Sequence, residues 1–287
     1  MRIVFSVLHF GSFFVTEACV DSLLTLNNSI DTTIIVVDNG TENGSYDLLL
    51  NKYIKNSNVI IHKTNKNLGF ARGNNIGFLL AKKKYNADIV CVINNDIIIT
   101  QKDFLNVLTK LANDDLADII APCIIDSRGS YQNPLRTKRL TIKQINRALF
   151  YNRVMRIVYC IPLINRLAAN SLEKRRYKKI ITIKEKRIFD VIPHGAFVIY
   201  TKRYIDNEDF AFLDETFLFG EEDFLFDYLK KRKYSIVYCD DLVVHHNEDS
   251  SIKSITQNDI KKRLFIAKNK IKSLKQLKQY RKELSDD

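Results

Sequence analysis

No two of the five cysteines, Cys19, Cys91, Cys123, Cys160 and Cys239, stand at C-x-x-C spacing, and their number is odd. That excludes a disulfide framework and offers no zinc site, so a reducing cytosol is the compartment that fits. No uninterrupted apolar run reaches the about eighteen residues of a membrane-spanning helix. The chain opens directly on a strand-like stretch from Ile3 to Leu8, without the basic region, apolar core and cleavage site of a signal peptide. Acids are scarce relative to bases, 33 Asp and Glu against 45 Lys and Arg. The formal net charge of +12 calls for anionic company: nucleotide phosphates, anionic lipid or nucleic acid. Nucleic acid is not expected, because neither a recognisable module nor aromatic-basic interleaving is found. What the chain does have is 46% hydrophobic residues over 287 positions, enough for one α/β unit with appendages.

Val90-Cys91-Val92-Ile93 is a continuous apolar run of the kind buried on both faces of a sheet, and it stops abruptly at Asn94-Asn95-Asp96. Those polar side chains stand at the C-terminal edge of a strand, where open α/β sheets bind ligands. A carboxylate at Asp96 can take a hard divalent cation, and the cation can bridge a diphosphate; as a turn, the same triplet is ordinary chemistry. Three further strands end at that edge. Ile3 to Leu8 closes at His9-Phe10-Gly11-Ser12, and Thr33 to Val37 closes at Asp38-Asn39-Gly40. Val59 to His62 leads to Asn67-Leu68-Gly69-Phe70-Ala71-Arg72-Gly73-Asn74-Asn75, a glycine-spaced turn into a helix. Helices at about Phe14 to Leu26 and Ser45 to Tyr53 connect the strands as right-handed βαβ units. Glycines at such a junction let phosphate approach the free N–H groups of the helix, although the G-x-G-x-x-G spacing of a dinucleotide site is absent.

Beyond another strand, Ile119 to Ile125, composition shifts: from Arg136 to Arg187 bases crowd and acids nearly vanish. Arg147, Arg153 and Arg156 interrupt the apolar pieces, which read as an amphipathic segment on an anionic bilayer or as a basic face over a helical insertion. Order returns with Phe189 to Tyr200, a strand interrupted by His194-Gly195-Ala196, in which His194 is either a core histidine or a substrate contact. An aromatic run then ends in Gly220-Glu221-Glu222-Asp223 at the start of a helix. The helix dipole lowers the pKa of these acids and their mutual repulsion raises it; as helix-capping chemistry they need no other role. A short strand from Ser235 to Tyr238 is followed by Val243-Val244-His245-His246 and Ser250-Ser251. From Ile260 a Lys-rich helix with Leu264, Ile271, Leu274 and Leu277 suits a membrane surface or packing back on the domain.

Taken in order, Phe10-Gly11-Ser12, Val36-Val37-Asp38-Asn39-Gly40, Asn67-Leu68-Gly69-Phe70-Ala71 with Asn75, and Asn94-Asn95-Asp96 resemble the family 2 glycosyltransferases of the GT-A fold, of bacterial rhamnosyltransferase type. The resemblance implies a mixed α/β sheet flanked by helices in one domain over about 1–250. It covers a donor half at about 1–130 and an acceptor half at about 188–250, and not the basic helical insertion at about 136–187 or the basic helical tail at 251–287. It implies a nucleotide-diphosphate sugar donor held by Phe10, Asp38, Gly69, Arg72, Asn75, Asn94 and Asn95, with Phe10 stacked on a uracil-like base whose N3–H Asp38 accepts. It implies Mg²⁺ or Mn²⁺ at Asp96, with His245 or His246 as ligand or phosphate partner; Asn94 stands where the family's metal motif usually begins with Asp. It implies a glycan or lipid-linked saccharide acceptor near His194, Gly195 and Glu221. Glu222 would be the catalytic base, with Asp223 its close rival, at a position where the family more often has Asp. The implied reaction is inverting hexosyl or rhamnosyl transfer to a hydroxyl in cell-surface polysaccharide synthesis, by a protein that is cytoplasmic or peripheral at the inner face of the membrane. A non-catalytic nucleotide-sugar binder would keep Asp38 and Asp96 yet need no acid triplet, and a membrane- or polyanion-binding module would need neither.

Overall fold

The computed structural model describes residues 1–26, 29–161, 183, 185–247 and 259–286. Its strands are β1 (Arg2–His9), β2 (Asp31–Asp38), β3 (Val59–Lys63), β4 (Ile89–Asn94), β5 (Ile97–Ile98), β6 (Ile119–Asp126), β7 (Arg187–Phe189), β8 (Phe197–Tyr200) and β9 (Ile236–His246). Its helices are α1 (Phe13–Leu24), α2 (Ser45–Tyr53), α3 (Phe70–Lys83), α4 (Phe104–Asn113), α5 (Ile142–Tyr159), α6 (Lys202–Asn207), α7 (Glu221–Arg232) and α8 (Asp259–Asp286). The strands form one mixed sheet in the order β3-β2-β1-β4-β8-β6-β9-β5, with β7 beside β9. β1 to β4 run parallel, so their C-terminal ends make a single rim, as the sequence leads one to expect. β8 enters antiparallel between β4 and β6 and brings the second half of the chain against the first.

Alternation along the strands divides the core. Ile3, Phe5 and Val7 pack beneath α1, α2 and α4, while Val4, Ile35 and Val92 pack against α3, α6 and α7 on the other face. A smaller cluster joins Ile145 and Leu149 of α5, Phe224 of α7 and Leu277 of α8, so the C-terminal helix packs back on the domain. Thr141 and Gln144 start α5 with a reciprocal capping box.

Three local readings change. The stretch from Phe189 to Tyr200 is two strands with different partners, separated where Asp190 turns into the left-handed region at φ +57. The pieces at Ser235–Tyr238 and Val243–His246 belong to one long β9. A register shift opposite Pro122 and Cys123 takes up Asp240, Asp241 and Leu242, and the two acids are the charges that broke the apolar pattern. α4 is an additional helix, whose Phe104, Leu105, Leu108 and Leu111 carry helical spacing. Ser250 and Ser251 lie outside the described residues. Among the described residues no helix is long and apolar enough to cross a membrane.

Candidate active site

Asp38 ends β2 in full burial. Its Oδ1 accepts the Thr41 N–H at 3.1 Å, and its Oδ2 has no hydrogen-bond partner among the described residues. A buried carboxylate oxygen left unpaired is costly, so a ligand N–H suits it. Beside it lies a cavity of about 390 Å³ lined by Gly40, Thr41, Glu42, Lys63, Thr64 and Asn65. That is within the roughly 300–1,000 Å³ of small-molecule sites. Phe10 stands half-buried just past the end of β1. Asn39 ties the neighbouring turn down, donating to the Gly69 carbonyl at 3.0 Å and accepting the Leu68 N–H at 2.9 Å. Gly69 adopts φ +86, and a Cβ there would run into the Phe217 carbonyl, which accepts the Phe70 N–H at 2.9 Å. The glycine therefore serves a close approach between α3 and the segment before α7.

Two residues expected to touch a donor are occupied on that same seam. Arg72 Nε lies 2.6 Å from Asp214 Oδ1. Asn75 donates to the Phe212 carbonyl at 2.8 Å and accepts the Ala211 and Phe212 N–H groups at 2.9 and 3.0 Å.

The Asn94-Asn95-Asp96 triplet splits by direction. Asn94 is half-buried at the end of β4, with its backbone N–H on the Ala196 carbonyl at 2.9 Å. Asn95 turns inward and donates to Thr16 Oγ1 at 2.8 Å; that hydroxyl is also 2.6 Å from His9 Nδ1, and His9 Nε2 is 2.7 Å from Ser45 Oγ. Burial lowers the His9 pKa to about 4 against the pull of Asp38. The neutral ring thus sits in a buried polar chain that joins α1, α2 and the triplet.

Asp96 Oδ1 lies 3.1 Å from His246 Nε2, because β9 pairs with β5 and sets His246 opposite Ile97. Gln132 Oε1 stands 2.7 Å from His246 Nδ1, so the ring is held between an amide and the Asp96 carboxylate. Strand alternation puts the next imidazole, His245, on the opposite face of the sheet, away from Asp96. No group of three or more His, Cys, Asp or Glu able to hold a metal occurs among the described residues. Asp96 and His246 nevertheless fit a divalent cation as a carboxylate and imidazole pair whose remaining positions a diphosphate would fill.

From His246 the site continues toward the acids. The His194 ring is 5.6 Å from that of His246, and its Nδ1 accepts the Ala196 N–H at 3.2 Å. Burial and then His246 push its pKa down to about 4, in spite of Asp96, which leaves a neutral ring with the proton on Nε2. The next N–H, that of Gly195, donates to Glu222 Oε1 at 3.2 Å. A Cβ at Gly195 would stand 2.8 Å from that oxygen, so the glycine makes room for the acid.

The three acids at the start of α7 have different surroundings. Glu221 is buried and accepts the Thr216 hydroxyl at 2.9 Å; burial, then the charge of Glu222, raises its pKa to about 8. Asp223 is held by two arginines, with Oδ2 2.5 Å from Arg136 Nη2 and Oδ1 3.7 Å from Arg281 Nη2. Glu222, half-buried beside Gly195, has its pKa raised chiefly by burial. Arg281 comes from α8, and it also places Nε 2.5 Å from Asp227 Oδ2 and donates from Nη1 to the Leu140 carbonyl at 2.5 Å.

Asp96, His246, His194, Gly195 and Glu222 are thus brought together, while His245, Asn95, Arg72 and Asn75 point or bind elsewhere. Reading the sequence overlooked Arg136, Arg281, Gln132 and Thr16. Arg281 left a trace: it falls four residues after Leu277, where the apolar stripe of α8 calls for another apolar residue. Gln132 sits in a loop with no such periodicity.

Glycosyl transferase family 2 matches residues 15–180, more than half of the chain, and the chain belongs to that family. Among solved structures it is similar to S. aureus TarS, at 15% identity and TM-score 0.54, over 86% of this chain and 37% of that one. It is also similar to S. aureus TarS 1-349 in complex with UDP, at 13% and 0.55, over 94% and 71%. A third is GalNAc-T7 with UDP, GalNAc and Mn²⁺, at 13% and 0.56, over 86% and 43%. At these identities the likeness speaks for the fold, which is GT-A. The chain spans well under two thirds of the longer TarS chain and of the GalNAc-T7 chain. No curated protein sequence matches it.

Proposed function

We propose that this glycosyltransferase is an inverting enzyme that moves a sugar from a nucleotide-diphosphate sugar to an acceptor hydroxyl, with Glu222 as the base. The observation that carries the reading is the unbroken line of contacts from Asp96 through His246, His194 and Gly195 to Glu222, which joins a cation-suited pair to a carboxylate of raised pKa. Asp38 accepts the imide N–H of the base and Phe10 covers its face. Asp96 and His246 hold Mg²⁺ or Mn²⁺ when the cation is bound, and it neutralises charge on the leaving diphosphate. Glu222 takes the proton of the acceptor hydroxyl as that oxygen bonds to the anomeric carbon from the face opposite the diphosphate. The bond from carbon to the diphosphate oxygen breaks with its electron pair on the leaving group, and configuration inverts. Position makes Glu222 the base of the triplet, since it faces Gly195 beside His194, whereas Glu221 is buried on the Thr216 hydroxyl and Asp223 is engaged by Arg136 and Arg281.

The UDP and Mn²⁺ bound in the similar structures support the same donor and cation class. The working scope is hexosyl or rhamnosyl transfer to a glycan or lipid-linked saccharide of the cell surface. In domain terms, residues 1–250 are taken as one catalytic unit, with the helical tail closing onto it. A panel of nucleotide sugars, with Mn²⁺ and with chelator, tests the proposal: one donor should be consumed in the presence of the cation and yield a product of inverted anomeric configuration by NMR. Retention of configuration, or binding of a donor with neither hydrolysis nor transfer, would overturn it.

A further inference from the structure

We infer that the outer face of α5 is a docking surface for an anionic lipid bilayer. α5 is apolar on two sides. Its inner side, with Ile145 and Leu149, is buried against α7 and α8. Its outer side carries Phe150, Val154, Ile157 and Ile161 at the i, i+4, i+7, i+11 spacing of a single helical stripe that continues just past the helix end. All four are exposed, Phe150 by 71% and Ile157 by 66%. An apolar stripe of this kind, roughly 16 Å long at 1.5 Å per residue, is what an interfacial helix sinks below the headgroups.

Charge chooses the occupant. Lys143, Arg147, Arg153 and Arg156 are exposed on the same helix, and no Asp or Glu occurs from Ser127 to Leu172. Apolar side chains flanked by arginines match acyl chains beneath negative headgroups, whereas a protein partner of ordinary composition would leave the unbroken positive run unanswered. A nucleic acid would answer the charge and leave the apolar stripe in water. The surface rests on α5 alone and not on the chemistry of the cleft.

The test is flotation of the full chain with vesicles of phosphatidylcholine alone and of phosphatidylcholine mixed with phosphatidylglycerol. The chain should float with the mixed vesicles and stay behind with the zwitterionic ones. Phe150→Ser with Ile157→Ser, both at exposed positions, should lower the bound fraction about tenfold or more and leave the melting temperature unchanged. Arg153→Gln with Arg156→Gln should weaken binding and reduce its salt dependence. Ile54→Ser, an exposed apolar residue on another helix end, should have no effect. Flotation unaffected by the Phe150 and Ile157 pair would overturn the inference, as would equal binding to both vesicles. It would be overturned equally by a dimer in sedimentation that the same pair abolishes, since the face would then be an interface between copies of the chain.

Discussion

Arg136 Nη2 stands 2.5 Å from Asp223 Oδ2, while Glu222, one residue earlier, receives the Gly195 N–H at 3.2 Å. The helical turn sends adjacent carboxylates in different directions, one toward the arginines behind α7 and one toward the cleft. This separation turns three consecutive acids into one candidate base, one salt-bridged residue and one buried acid.

Arg281 closes the rear of that arrangement, within 2.5 Å of Asp227 and 3.7 Å of Asp223, with all three side chains almost wholly buried. Removing one partner of a buried ion pair costs about 3–5 kcal/mol. Arg281→Met should lower the urea-unfolding free energy by that order and make α8 accessible to protease. An unchanged unfolding midpoint would show that the pair contributes nothing.

Asp96→Asn and His246→Ala should each lose about tenfold or more of the Mn²⁺-dependent affinity for a nucleoside diphosphate, equivalent to about 1.4 kcal/mol. His245→Ala should change it little, because the neighbouring imidazole faces the other side of β9. Titration of the nucleotide with and without Mn²⁺ checks all three; equal losses at the two histidines would contradict the strand geometry.

Asp38→Ala should weaken nucleotide binding by about 1.5–3 kcal/mol, the range of a hydrogen bond to a charged group. Calorimetry with UDP and with inorganic diphosphate separates base from phosphate. A loss of the same size for both would remove Asp38 from base recognition.

Two groups of buried titrants give opposite pH slopes. His9 and His194, with pKa lowered to about 4 from an ordinary 6.5, contribute stability that is present above 6.5 and lost as pH falls toward 4. Glu221, raised to about 8 from 4.5, binds its proton in the folded chain where the unfolded chain has released it, so stability falls as pH rises through that interval. Well above 6.5 the histidines fall silent, and the decline toward 8 belongs to the raised carboxyls, Glu221 foremost and Glu222 with it. Glu221→Gln should flatten that part of the profile and raise the melting temperature at pH 8; a profile that keeps its decline there would place the titrating group elsewhere.

The rim of parallel strand ends was legible because buried strands announce themselves as unbroken Val and Ile runs, and the residues after each run must lie at the edge. Asp38 and Asp96 could be picked out on that basis together with the family resemblance, and Glu222 from the acid triplet that opens a helix. Directions were not legible. Asn95 and Asp96 are neighbours, yet one binds Thr16 and the other faces His246, and only the turn geometry separates them. Asn75 has the look of a ligand residue but fastens the backbone of residues 211 and 212, a contact across more than a hundred residues that no local pattern encodes. The same holds for Arg281, whose partners come from α7 and from Leu140.

The central claim is tested most directly by the turnover of Glu222→Gln beside that of Asp223→Asn, each measured with the donor found by the panel and with donor affinity and folding verified. Glutamine keeps the Gly195 hydrogen bond and the shape of the side chain but cannot take the acceptor's proton. Glu222→Gln should lower turnover by about 10²- to 10⁴-fold at unchanged donor affinity, while Asp223→Asn, once folded, should stay within a few-fold of the parent. Transfer at the parental rate by Glu222→Gln, or a folded Asp223→Asn variant that is the crippled one, would contradict the assignment.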